Sequence, residues 1–164
     1  MTSQQALFES SCMTRGRILQ LVIEMETLID FYISSHFADT EEKRTELIFL
    51  VISNVNLSAK KNILAFLLRK DKTNTKEDIK KLLSAIDKII IERNVFAHSP
   101  ILYSTEGIDQ YRDSKVISYV VQKAAKFAGE LEVGLRKNFT ELIINQLVES
   151  IESVNSILRK LNGM

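Results

Sequence analysis

Proline occurs once and glycine five times in 164 residues. Turns draw heavily on those two residue types, and all-β folds need many turns. So thin a supply argues against such folds and for long helices with few breaks. Collagen, low-complexity linkers and disulfide scaffolds are excluded by the same composition. The one cysteine, Cys12, cannot form an internal disulfide, which suits a reducing cytosol. It has no nearby histidine to favour thiolate chemistry, and it reads as a small apolar residue on a helix. Charge of one sign is also missing: 22 basic and 21 acidic residues leave a net charge of +1. Bulk charge therefore gives no case for a nucleic acid or an anionic membrane as partner. The longest apolar runs, Leu47 to Ile52 and Ile63 to Leu68, are far short of the roughly 20 residues a bilayer needs. Met1-Thr2-Ser3-Gln4-Gln5 has neither a basic start nor an apolar stretch behind it. A cytoplasmic chain with no membrane contact is expected.

What remains is a series of amphipathic helices. Ile18, Leu21, Val22, Met25, Leu28, Ile29 and Tyr32 recur at spacings of three and four, predicting a helix over about 15–36. Asp39 or Thr40 starts a second helix, with Glu41 and Glu42 in its first turn. Ser58 is placed to cap a third, with Leu57 as a hydrophobic staple. Lys70 to Asn74 is a polar linker. Thr75-Lys76-Glu77-Asp78 then caps a fourth helix, over about 76–98. That helix ends before Pro100, which pushes Ser99 away from helical dihedrals. Ile101-Leu102-Tyr103 and Val116-Ile117-Ser118-Tyr119 flank a polar stretch and predict a short β-hairpin. From about 113 to 161 the pattern reads as one long helix or a helix pair, with Gly129, Gly134 and Lys137 to Thr140 as points of weakness. Asn162-Gly163 is a C-terminal stop. The expected fold is a single all-α helical bundle over residues 1–164.

The informative residues are polar groups among apolar ones. At 100° per residue, Arg93 falls close to Leu82, Ile86, Ile89 and Ala97 on the fourth helix. Asn94 and His98 are four apart and share a face. On the first helix, Glu26 falls among Leu19, Val22 and Ile33, and Asp30 follows one turn later. Charges are seldom buried without partners, so Glu26 or Asp30 is expected to pair with Arg93. A buried Arg–Glu pair is often only a packing device, and a histidine at a helix C-terminus often only complements the dipole.

The segment Arg93-Asn94-Val95-Phe96-Ala97-His98 resembles the R-N-x(3)-H form of the HEPN superfamily motif. Its surroundings agree. Glu24 to Ile29 lies where HEPN-like domains carry a polar residue on an upstream helix. Asn56 to Leu64 resembles the intervening segment of related bacterial proteins, mannitol-repressor-like ones among them. The likeness covers roughly residues 15 to 105. It implies a HEPN-like helical bundle, commonly a homodimer with two motifs facing across a cleft. Many such proteins are metal-independent endoribonucleases of toxin–antitoxin and defence systems, which need no cofactor. Others bind a regulatory protein or a nucleotide without cutting.

The chemistry suits RNA cleavage. Attack of a 2′-hydroxyl on the adjacent phosphate needs a proton acceptor, a proton donor and a stabiliser of phosphorane charge. His98 titrates nearest neutrality, Arg93 offers a cationic fork for phosphate oxygens, and Asn94 would orient either His98 or the substrate. Glu26 and Asp30 are expected as supporting residues. An arginine tied to Glu26 would be less available to phosphate. The chain is also lopsided: Glu24 to Glu46 is acidic, and Lys60 to Lys81 is basic and could contact RNA. Tyr103 and Tyr111 could stack on bases. Two classes therefore stand: a ribonuclease with Arg93, Asn94 and His98 in its site and a cognate antitoxin as partner, or a non-catalytic module that binds a protein or nucleotide.

Overall fold

The computed structural model describes residues 2–71, 74–121 and 135–164. Among them are six helices, α1 (Ser3–Phe37), α2 (Glu41–Leu50), α3 (Leu57–Lys70), α4 (Lys76–His98), α5 (Thr105–Ser114) and α6 (Glu141–Leu161). There are two strands, β1 (Ile117–Val121) and β2 (Leu135–Phe139). The fold is mostly all-α, as the scarcity of turn residues requires. None of the described helices is long and apolar enough to cross a membrane.

Local chemistry explains the helix ends. Thr40 caps α2 by accepting from Lys43 N. Asn56, rather than Ser58, caps α3 by accepting from Ala59 N at 2.9 Å. Thr75 Oγ1 accepts from Asp78 N at 3.1 Å and donates to Asp78 Oδ2 at 2.6 Å. That exchange fixes the start of α4 where the sequence places it. Past α6, Gly163 takes φ +73° and its N–H bonds Lys160 O, the left-handed stop that favours glycine.

The chain divides into two compact units. Unit 1 comprises residues 1–19 and 92–148, and unit 2 residues 20–91 and 149–164.

Unit 1 is built on a small antiparallel sheet. β1 pairs with β2 in the register Ile117↔Phe139, Tyr119↔Lys137 and Val121↔Leu135. The segment after α4 lies along β1 as well: Val120 N bonds Pro100 O at 2.9 Å, Leu102 N bonds Ser118 O at 2.8 Å, and Ile101 bridges Tyr119. Two corrections follow. The pairing of 101–103 with 116–119 exists only as this bridge, with α5 filling the interval, and the hairpin partner of β1 is β2. Of the helix expected over about 113–161, the described residues give the end of α5 to Ser114, strand at 117–121 and 135–139, and helix from Glu141. Gly129 and Gly134 lie outside the described residues. Phe96, Tyr119 and Phe139 form an aromatic core, with ring centroids 4.5 to 5.6 Å apart at tilted or edge-on angles, the arrangement ring quadrupoles prefer. Gly107, in the first turn of α5, sits against Leu102 so closely that a Cβ would strike the Leu102 carbonyl oxygen.

Unit 2 is helical. Val22, Met25, Ile29 and Ile33 of α1 are buried, as are Leu64, Leu67 and Leu68 of α3. Ile79, Leu82, Ile86 and Ile89 of α4, with Ile151, Val154 and Leu158 of α6, complete an aliphatic core. Each set repeats at three or four residues, one face of a helix. α2 contributes no buried residue.

Candidate functional site

The last turns of α4 carry the motif, within unit 1. Arg93 is half-buried, and Asn94 and His98 are exposed. The helical turn brings Asn94 and His98 to one face. Arg93 Nη1 donates to Asn94 Oδ1 at 3.2 Å, so arginine and asparagine act as a pair beside the histidine.

The backbone that bears His98 is held tightly. Ser99 N closes the helix on Val95 O at 2.9 Å. Arg15 Nη2, from α1, donates to Ser99 O at 2.9 Å. Pro100 is hydrogen-bonded to β1, and Phe96, two residues before His98, is fully buried in the aromatic core. A buried anchor below and tethered carbonyls beyond fix the backbone from which the His98 side chain projects.

Arg15 was not visible as part of this arrangement in the sequence. Its guanidinium lies 5.6 Å from the Tyr119 ring centroid, a cation–π distance. Its Nε and the Tyr119 hydroxyl are both buried without hydrogen-bond partners. Burial raises the Tyr119 phenol above its ordinary value, and the Arg15 charge opposes the shift. Beside the motif, Lys137 Nζ bonds Glu92 Oε1 at 2.7 Å and lies over the Phe139 ring. Tyr103 is exposed, and Tyr111 stacks under its neighbour Lys115.

The expected pairing of Glu26 or Asp30 with Arg93 is corrected. In unit 2, Lys60 Nζ of α3 holds both carboxylates, Glu26 Oε1 at 2.7 Å and Asp30 Oδ2 at 2.8 Å. The Lys60 side chain is only 2% exposed. One cation shared by two acids leaves a formally net negative cluster, buried at Lys60 and Asp30 and partly open to solvent at Glu26. Burial raises the Asp30 carboxyl above the usual carboxylate range; the bond to Lys60 opposes this, and the nearby Glu26 charge adds to it. For Lys60, burial pushes the ammonium down, but the hydrogen bonds and charges of Asp30 and Glu26 outweigh it and the net shift is upward. Lys60 carries the same sequence signal as Arg93: with Leu64, Leu67 and Leu68 it lies in one apolar stripe of α3.

The basic stretch from Lys60 to Lys81 is thus partly neutralised, since Lys61 also pairs with Asp87 and Lys81 with Glu77. Among the described residues no cluster of three His, Cys, Asp or Glu side chains is placed to hold a metal ion. Cys12 is free and exposed.

Compared with models of protein families, with curated proteins and with solved structures, the chain matches none.

Proposed function

We propose that the chain is an endoribonuclease of toxin or defence type that cuts RNA by 2′-hydroxyl attack on the adjacent phosphate. His98 exchanges the proton, Arg93 holds the phosphate oxygens as charge develops on them, and Asn94 positions Arg93. As the 2′-oxygen bonds to phosphorus, the bond to the 5′-oxygen breaks, leaving a cyclic phosphate and a 5′-hydroxyl. The reaction needs both a proton acceptor and a proton donor, and each chain brings one motif histidine. A homodimer would supply the second.

One observation carries this reading. The side-chain partner of Arg93 is the neutral Asn94 amide, while the acids expected to occupy Arg93 are held by Lys60. Among the described residues no carboxylate pairs with Arg93, and a guanidinium so placed keeps its charge available to a phosphate.

The competing reading is a non-catalytic module that binds a regulatory protein. It draws support from unit 2, where Phe31, Phe37, Phe49 and Phe66 are all exposed, rings that a protein partner could cover.

Labelled RNA incubated with the protein in EDTA separates the two. Cleavage that persists in EDTA and falls at least about 100-fold in His98→Ala supports the nuclease. No cleavage of a broad RNA pool by the wild-type protein sinks it and leaves the binding module. Sedimentation at high concentration tests the dimer independently.

A further inference from the structure

We propose that unit 2 contains a binding site for a small, uncharged, mostly apolar molecule bearing a carbonyl-type acceptor. The site is a half-open cleft of about 520 Å³ between the first turns of α4 and the last turns of α6. That volume lies within the range of small-molecule pockets. The inference is independent of the ribonuclease reading, since Arg93, Asn94 and His98 are not among the lining residues.

The gap has a cause in the sequence. Leu68, Ile79, Leu82 and Val154 form a buried floor. Above them, facing positions carry Ala85 on α4 and Ser150 and Ser153 on α6. Side chains this small leave space between two helices whose buried positions carry mostly Ile, Leu and Val. The resulting wall is mostly apolar, so an apolar body would displace water from it favourably.

Polar groups at the rim define the rest of the ligand. Asn74 lines the cleft, and its Nδ2 is buried without a hydrogen-bond partner. A buried amide donor left unpaired is unfavourable, and a ligand oxygen would satisfy it. That oxygen is best uncharged. Asp78 stands at the same rim and would repel a carboxylate. Lys81, the rim's cation, already pairs with Glu77 at 3.0 Å.

The test uses N-phenyl-1-naphthylamine, an uncharged fluorescent probe, followed by displacement with octanamide or octanoate. The expected result is saturable fluorescence at one probe per chain, with octanamide displacing it at about tenfold lower concentration than octanoate. Asn74→Leu should weaken octanamide about tenfold and leave the probe's affinity unchanged. Ala85→Trp should abolish binding, and Ser153→Phe fills the same space from the opposite helix should the first variant fail to fold. Absence of saturable binding overturns the proposal. So does octanoate equal to octanamide, binding that survives both filling variants, or octanamide binding indifferent to Asn74→Leu. Probe sites that vanish as protein concentration rises assign the groove to a second copy and overturn it as well.

Discussion

The two units build their interiors from different residues. Unit 1 buries Phe96, Tyr119 and Phe139 against one another, and all three are at most 1% exposed. Unit 2 exposes each of its phenylalanines, buries the ring of Tyr32, and builds most of its interior from Ile, Leu, Val and Met around one ionic cluster. The difference follows from geometry. A two-stranded sheet packed by short segments offers few inward positions, and rings fill most of the volume there. Four long helical faces offer many positions, and aliphatic side chains at three- and four-residue spacing fill them. Order in unit 1 therefore rests on a few large contacts, and in unit 2 on many small ones plus a charge cluster.

The largest expected effect removes a ring from unit 1. Phe96→Ala should destabilise by about 3–5 kcal/mol in chemical denaturation. A loss below about 1 kcal/mol would show that the aromatic cluster is not the unit's core. In unit 2, Lys60→Met should cost about 3 kcal/mol, because it strands two neighbouring carboxylates. Adding Glu26→Gln and Asp30→Asn to that variant should restore most of the loss, measured by the same melts. If the triple variant is no better than the single, Lys60 acts through packing rather than charge.

A smaller effect is expected at the start of α4. Thr75→Ala should cost about 1 kcal/mol, through loss of its cap on Asp78 N. The pH dependence of unit 2 is more specific. Asp30 has a raised value in the folded chain, so the folded state holds its proton more tightly than the unfolded state, whose ordinary value is 3.8. The unfavourable contribution is absent below 3.8 and grows as the pH rises through the folded value. Wild-type protein should lose stability relative to Asp30→Asn over that window, in melts taken at stepped pH; a constant difference would deny the shift. The smallest effect belongs to the exposed rings. Phe49→Ser should change the stability of the chain by no more than about 0.5 kcal/mol, and a larger loss would mean that α2 is part of a core.

Much of this was legible in the sequence, and the exceptions have physical reasons. α4 was readable from end to end because a strong apolar period lies between a Thr-Asp cap and a proline. α1 begins at Ser3 rather than near Arg15 because its early buried face runs Leu7, Ser11, Ile18, with a hydroxyl where the pattern asks for a hydrocarbon. Ser11 satisfies itself by bonding Phe8 O. β2 escaped because Leu135-Arg136-Lys137-Asn138-Phe139 shows apolar residues only at its ends, and its pairing with β1 is not local. The candidate site was half legible. Arg93, Asn94 and His98 share the end of one helix, as their spacing dictates. The partner of Glu26 and Asp30 was misjudged because two cations, Arg93 and Lys60, occupy apolar stripes, and periodicity alone does not say which helix packs on α1.

Gly107 sets a condition on descent. Only a residue without a Cβ lets the first turn of α5 lie against the Leu102 carbonyl, whereas Gly16 has open space around it. Lineages that keep this fold should drift freely at position 16 and hold glycine at 107, even where Arg93, Asn94 and His98 have been replaced. That position would mark kinship in sequences from which the chemistry has gone.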